Sequence, residues 1–245
     1  MPAFNQFIRS IECELPPAPR EFPFSVPAFA TLESLEFHPT VTFFVGENGS
    51  GKSTLMEAIA RLAGMPATGG SSNFRRSEAE SDVGFGKSLK LVRGVRVPKT
   101  TFFLRAESFF NVATSIDEME REQAGLLERY GGTSLHAQSH GESFLALALH
   151  RFGTHGLYIL DEPEAALSPQ RQLTFLAIMN QLVDAHCQFV IATHSPILMA
   201  FPRSKILHFS GSGIEEIPYE KTEHYALTLD FLKNRELYFE RLFKA

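Results

Sequence analysis

The octapeptide Gly46-Glu47-Asn48-Gly49-Ser50-Gly51-Lys52-Ser53 has the spacing GxxxxGK[ST], whose chemistry is phosphate binding. Its glycines let the backbone curl so that successive N–H groups point at one anion. The helical stretch 54–63 behind it, opening at Thr54, brings the positive end of its dipole to the same place. Lys52 adds a full charge, and the Ser53 hydroxyl is the kind of oxygen ligand that Mg²⁺ takes while bridging phosphate oxygens. The set Gly46 to Thr54 is therefore a binding loop for a nucleoside triphosphate, and a Gly-rich turn is the bland alternative.

Three further clusters carry chemistry. Leu157-Tyr158-Ile159-Leu160-Asp161-Glu162 is an apolar run ending in two carboxylates, and strand ends are where a doubly wound sheet gathers its ligand chemistry. Their expected roles differ: Asp161 holds Mg²⁺ opposite Ser53, and Glu162 polarises the water that attacks the γ-phosphorus. The alternative is an acidic turn closing a strand before Pro163. Val190-Ile191-Ala192-Thr193-His194-Ser195-Pro196 ends a second apolar run in an imidazole, 32 residues beyond Glu162. A histidine there can contact the γ-phosphate and register its presence; taken alone it would be structural. Gln138-Ser139-His140-Gly141-Glu142-Ser143 precedes the apolar stretch 144–152. A hydroxyl residue and a glycine at a helix start make an anion-binding end or, more simply, an N-cap.

The elements that must hold these residues are short. Val41-Thr42-Phe43-Phe44-Val45 runs straight into the loop, and 156–160 and 188–192 are nearly continuous apolar runs separated by a helical stretch at 168–185. That is the pattern of parallel strands covered on both faces, a βαβ arrangement in an α/β fold. Upstream, 6–12 and 32–37 alternate apolar and polar residues as half-exposed strands do. The Pro- and Phe-rich segment 15–28 between them reads as an irregular, packed connection. Thr68-Gly69-Gly70-Ser71-Ser72 reads as a mobile loop, 101–104 as another strand, 115–129 as a helix, and Gly131-Gly132 as a break.

At 245 residues and 44% hydrophobic content, the chain is expected to form one domain. Its net charge of −5 argues against a generally cationic nucleic-acid coat but leaves a local patch open. Cys13 and Cys187 are too few for a disulfide framework and fit core positions in a reduced, cytoplasmic compartment. No run approaches the roughly 18 to 20 apolar residues that span a bilayer. Direct membrane insertion is not expected, and a membrane machine would need another chain for that part.

Phosphate loop, Ser-His-Gly-Glu, Leu-Asp-Glu-Pro-Glu and Ala-Thr-His-Ser-Pro, in that order across 41–195, closely resemble the ABC-type ATPases. The resemblance implies a mostly parallel sheet flanked by helices, an N-terminal antiparallel β part and a small helical lobe at 108–152. It implies ATP and Mg²⁺ as cofactors and a two-fold dimer closing over two ATP molecules. Ser139, Gly141 and Glu142 would then be a signature motif gripping the γ-phosphate on the partner's phosphate loop. Ala165-Ala166-Leu167-Ser168 would cross the interface, and His194 would be the switch histidine. The Ser-x-Gly-Glu form looks more like the SMC, RecF and OLD-type branch, acting on DNA or in genome defence, than like the transport branch. Only 31 residues separate Glu107 from Ser139, so the chain resembles compact stand-alone bacterial ATPases lacking a coiled-coil arm. The family's metal-sensing glutamine is missing from Phe102-Phe103-Leu104-Arg105-Ala106-Glu107-Ser108, where Glu107 is the candidate metal-side substitute; a carboxylate paired with Arg105 is the alternative. A DNA or protein partner is implied by analogy. An energy-coupling subunit of a transporter and a nucleotide-gated binding module with little turnover are the competing functions.

Weaker signals remain. The segment 75–105 holds eight basic and three acidic residues, with Lys87, Lys90, Arg93, Arg96 and Lys99 at every third position. It reads as a solvated basic lobe or a polyanion surface, and Gly94 and Pro98 forbid one continuous helix through it. His136 and His140 have helical metal spacing but no completing ligands. Phe22 and Phe24 are candidates for adenine stacking, with the core as the simpler destination. The stretch 227–243, apolar at helical spacing, is expected to pack on the domain or to dock a partner.

Overall fold

The computed structural model describes residues 6–14, 22–66, 83–105, 113–114, 116–118, 120, 125, 127–130, 132 and 134–244. Nine strands form two sheets among them: β1 (Ile8–Cys13), β2 (Ser34–Glu36), β3 (Val41–Gly46), β4 (Leu89–Arg93), β5 (Thr100–Arg105), β6 (Gly156–Asp161), β7 (Gln188–Ala192), β8 (Ser204–Ser210) and β9 (Gly213–Glu216). The main sheet has the order β5-β6-β7-β3-β8-β9, parallel except for the antiparallel edge pair β8–β9. A second, antiparallel sheet has the order β2-β1-β4. The helices are α1 (Lys52–Leu62), α2 (Val83–Ser88), α3 (His140–His150), α4 (Pro169–Asp184), α5 (Pro196–Met199) and α6 (Glu223–Leu242).

The continuous apolar runs are explained by burial on both faces of the main sheet. In β3, Val41, Phe43 and Val45 join a core with Phe144 and Leu147 of α3 and Phe175, Ile178 and Met179 of α4. The intervening Phe44 joins a second core with Leu55, Met56 and Ile59 of α1, together with Ile8, Ile11 and Leu35 of the small sheet. β6 and β7 divide in the same way, Tyr158, Leu160, Phe189 and Ile191 to the first core and Leu157, Ile159, Val190 and Ala192 to the second. Alternate side chains of a strand point to opposite faces, so a strand covered twice must be apolar throughout.

Gln188, fully buried at the start of β7, ties the two sheets together. Its Oε1 accepts from the backbone N–H groups of Phe7 and Ile8 at 2.9 and 3.0 Å, and its Nε2 donates to the carbonyls of Ile8 and His38 at 2.9 and 3.0 Å. Every hydrogen-bonding position of the amide is used on backbone at the edge of β1 or just before β3, which fixes the small sheet against the large one.

Several sequence expectations change. The expected 115–129 helix is interrupted: residues 113–120 are helical where described, but Leu127–Tyr130 is a 3-10 turn, with Gly125 ahead of it at positive φ. The signature helix begins at His140, four residues before its apolar stretch, because Ser139 caps it with a Glu142 capping box. The basic row spans two elements, as the breaks in it require. Lys87 lies on α2, while Lys90 and Arg93 lie on β4, where Lys90 pairs with Glu12 at 3.0 Å and Arg93 donates to the Leu62 carbonyl at 2.7 Å.

The C-terminal stretch does not pack as expected: α6 has no buried residue, and Leu232 and Leu242 are 69% and 63% exposed. Its apolar residues instead meet one another along the helix, Phe231 packing edge-on against Tyr238 and Phe239. The expected mobile loop 68–72 lies outside the described residues, as do Arg75, Arg76 and Glu107.

Candidate functional site

Strand register assembles the site. Asp161 of β6 stands opposite Ala192 of β7, and Ala192 opposite Phe44 of β3. The chain leaving these strands therefore delivers Glu162, His194 and the glycine-rich loop to the same carboxyl edge, where open α/β sheets hold ligands.

The loop is shaped by positions that only glycine fills well. Gly46, Gly49 and Gly51 have φ of 142°, 78° and 100°. A Cβ on Gly46 would fall 2.4 Å from the Phe209 carbonyl oxygen, and one on Gly51 2.7 Å from the Phe29 ring. Lys52 is 4% exposed, with Nζ donating to the carbonyls of Gly46 and Glu47 at 2.8 Å each, which uses two of its three N–H donors. Burial pushes its amino group below the usual lysine range, against the pull of Glu162, Asp161 and Glu164. The Ser50 hydroxyl oxygen is buried with no hydrogen-bond partner among the described residues. A cradle of close-approach glycines, a buried ammonium and an unpartnered hydroxyl suits a phosphate chain.

Beside it, Ser53 Oγ donates to Asp161 Oδ1 at 3.3 Å, and Asp161 is 6% exposed. Burial raises the Asp161 carboxyl above its ordinary range, while Ser53 and Arg105 work in the opposite direction. A hydroxyl and a carboxylate side by side form a hard oxygen pair of the type Mg²⁺ takes. Glu162 departs from the strand with φ 53° and ψ 51°, a left-handed conformation that costs a non-glycine residue about 1–2 kcal/mol. That turn brings Glu162 Oε1 to 3.5 Å from His194 Nε2. The His194 backbone N–H is held by Glu164 Oε1, at 2.6 Å, and burial raises the Glu164 carboxyl.

The expected signature segment is held by its own set of contacts. Ser139 N and Oγ both donate to Glu142 Oε2, at 3.0 and 2.7 Å. Arg171, in the first turn of α4, reaches back to donate to Ser139 Oγ at 3.0 Å and to Glu142 Oε1 at 2.9 Å. Ser139 bonding, and then Arg171, holds the Glu142 carboxyl below its usual range. Gly141 is required by contact: its Cβ would meet Arg171 Nη1 at 2.5 Å and the Ala166 carbonyl oxygen at 2.9 Å. Ser139 and Glu142 remain exposed.

Arg171 and His224 escape motif reasoning, and Arg105 and Glu164, though quoted within motifs, take partners that the motifs do not give. Arg105 ends β5 in register with Asp161, with Nε 3.7 Å from Asp161 Oδ2 and Nη1 3.4 Å from Glu57 Oε2. His224, at the start of α6, places Nε2 2.8 Å from His194 Nδ1. Only the second acid of the Glu-Pro-Glu run hinted at Glu164; the others are brought in by packing. Phe24 packs edge-on against Phe85, as a core residue does, while Phe22 is 62% exposed. His136 Nε2 lies 3.0 Å from Thr114 Oγ1, and no cluster of three metal-ligating side chains occurs among the described residues. No described helix is long and apolar enough to cross a membrane.

Two family models match adjoining parts of the chain. Residues 26–125 match an AAA domain, and residues 128–200 match an AAA domain whose description names an AbiEii toxin of a type IV TA system. Among solved structures, the chain is similar to an ABC transporter described as of the metal-chelate type, in an inward-facing conformation (16% identity, 91% of this chain and 88% of that one, TM-score 0.51). It is also similar to cbiO1 of Clostridium perfringens, part of the ABC transporter complex cbiONQ (13% identity, 98% and 100%, TM-score 0.51). The SMC head domain of Thermotoga maritima matches at 16% identity over 87% of this chain and 99% of that one, with a TM-score of 0.47. The transporter likenesses establish the fold alone. The two AAA-domain matches together span most of the chain, and with the glycine-rich loop at their head they place it among the P-loop ATPases, with the fold of the ABC ATPases.

Proposed function

We propose that the chain is a Mg²⁺-dependent ATP hydrolase whose nucleotide cycle closes and reopens a homodimer, as a single ABC-type domain with 108–152 as its signature lobe. The observation that carries the reading is the convergence on one sheet edge of the phosphate loop, the Ser53–Asp161 pair at 3.3 Å and the Glu162–His194 pair at 3.5 Å. The backbone of Gly46, Glu47, Asn48, Gly49, Ser50, Gly51 and Lys52, continuing through Ser53 to Thr54, cradles the phosphates. Ser53 and Asp161 hold Mg²⁺, which supplies charge neutralisation on the β- and γ-phosphate oxygens when bound. Glu107, assigned from sequence, stands as a further metal-side ligand. Glu162 accepts a proton from the attacking water at its carboxylate, and Lys52 and His194 stabilise charge on the γ-phosphate oxygens. Ser139, Gly141 and Glu142 act on the nucleotide of the partner copy, an isologous arrangement in which each subunit gives a loop and receives a signature.

The process served is proposed to be DNA repair or defence, supported by the Ser-x-Gly-Glu signature and by the AbiEii description of the second family model. Steady-state ATP hydrolysis with and without single- and double-stranded DNA tests both levels, with Glu162→Gln as the blank. Mg²⁺-dependent turnover lost in Glu162→Gln supports the hydrolase. Absence of turnover with retained nucleotide binding would instead favour a nucleotide-gated binding module. Salt-sensitive stimulation by DNA supports the DNA setting, and indifference to DNA points to a protein partner.

A further inference from the structure

His194 is the one candidate catalytic side chain whose usefulness depends on which ring nitrogen carries the proton. Its Nε2 faces Glu162 Oε1 at 3.5 Å, is buried, and has no hydrogen-bond partner among the described residues. Its Nδ1 lies 2.8 Å from Nε2 of His224, with the two rings inclined at 60° and their centroids 4.9 Å apart. A hydrogen bond between neutral imidazoles needs one N–H and one lone pair, so two arrangements are possible. If His194 donated through Nδ1, its Nε2 would turn a lone pair toward the Glu162 carboxylate and toward any phosphate beside it. If His224 donates through Nε2–H, His194 Nε2 carries the proton and presents a donor to those anions. A single extra proton shared by the pair leaves Nε2–H in place as well. Only the arrangements with Nε2–H match the charge that faces His194.

The placement of His224 is built rather than accidental. Thr222, 1% exposed, precedes α6 and donates through Oγ1 to the Tyr219 carbonyl at 2.7 Å. Tyr219 donates its hydroxyl to the carbonyl of Pro196, two residues past His194, at 2.9 Å, and packs against Tyr225 with the rings inclined at 50° and their centroids 4.5 Å apart. The base of α6 is thus fastened to the segment that carries His194, while the remainder of the helix stays exposed.

We propose that His224 is a positioning residue that fixes His194 as the Nε2–H tautomer, so that its free nitrogen is a hydrogen-bond donor toward the γ-phosphate. This rests on the reading of His194 as a γ-phosphate contact, and the proposal ties the start of the C-terminal helix to the chemistry of the nucleotide site. The charged and titratable groups acting on the pair are Glu162 and Glu164 beyond β6, Lys52 on α1, His208 on β8, and Glu223 on α6 itself.

The test pairs a tautomer measurement with kinetics on the full chain. Long-range ¹⁵N–¹H correlation spectra of ¹⁵N-histidine protein, assigned with His194→Gln and His224→Gln, should show His194 protonated at Nε2 near neutral pH. His224→Phe, which keeps a ring but no donor, should mix the tautomers and lower kcat about tenfold with the KM for ATP changed less than twofold. His224→Gln, whose amide can still donate to Nδ1, should restore most of the rate. An Nδ1–H tautomer in the wild-type protein, or an unchanged His194 spectrum in His224→Phe, would overturn the proposal. Failure of the reading beneath it shows separately: His194→Gln would then hydrolyse ATP at the wild-type rate, whatever the spectra report.

Discussion

The two ends of the proposed phosphate site are built on opposite physical terms. At the loop end, Lys52 and Asp161 are buried, on or beside strands of the main sheet, and their neighbours are set by β-register. At the signature end, Ser139 and Glu142 are exposed at a helix N-terminus, and their neighbours are one another and the flexible side chain of Arg171. A buried charge must be satisfied by the fold itself, whereas an exposed ion pair contributes little and exchanges partners cheaply. The loop end thus meets its charges within one chain, and the exposed end is the one that the proposed dimer would complete.

The largest effects should come from the buried end. Glu162→Gln should lower kcat at least about 10²-fold while leaving nucleotide binding intact. Lys52→Ala should abolish binding itself, measured by calorimetric titration with a slowly hydrolysed ATP analogue. If both variants instead lost only binding, the division of roles within that end would collapse.

A mixing experiment separates the two ends directly. Lys52→Ala and Ser139→Arg should each be inactive alone, yet an equimolar mixture should recover about a quarter of wild-type turnover. Half of randomly paired dimers would then hold one intact composite site of two. No recovery at concentrations where dimers form would place the signature in the same active site as its own loop, against the exposed geometry of Ser139.

Smaller effects should rank by burial. Arg105→Ala removes a cation facing the buried Asp161 and should destabilise the fold by about 1–3 kcal/mol. Arg171→Ala removes an exposed pair and should change stability by less than about 1 kcal/mol, while lowering turnover a few-fold through a loosened signature. Chemical denaturation of both variants checks the order, and equal losses would remove the contrast.

The smallest effect is on pH dependence. Burial lowers the His224 and His38 imidazoles from 6.5. As pH falls through 6.5 the unfolded chain takes up these protons before the native one, so stability is full above that value and declines below it. Asp161 and Glu164, raised by burial from 3.8 and 4.5, have the opposite sign. The native state holds their protons longer, so their contribution is present at low pH and is lost as pH rises through the native values. Thermal midpoints between pH 7.5 and 5.5 should fall, and His224→Gln should flatten that slope.

Much of this was legible in the chain. The glycine-rich loop, the acids closing β6 and the histidine following β7 are contiguous motifs, and contiguous residues on doubly buried strands announce both the strand and its end. The α/β class follows from the same runs, because strands covered on both faces must be apolar at every position. The C-terminal helix was misjudged because helical spacing gives an apolar face, here Leu227, Phe231, Tyr238 and Leu242, without saying whether anything covers it.

What sequence determined is local, namely the curl of the phosphate loop, the capping of α3 by Ser139 and Glu142, and the identity of the chemical groups. Tertiary structure decided who faces whom. Arg105 meets Asp161 because β5 and β6 pair in register. Arg171 meets Glu142 because α3 and α4 pack on one face of the sheet. His224, thirty residues beyond His194, reaches it only because Tyr219 and Thr222 pin the base of α6 beside the β7 exit. Such pairings depend on packing between distant segments, and residue type and spacing along the chain carry no term for it.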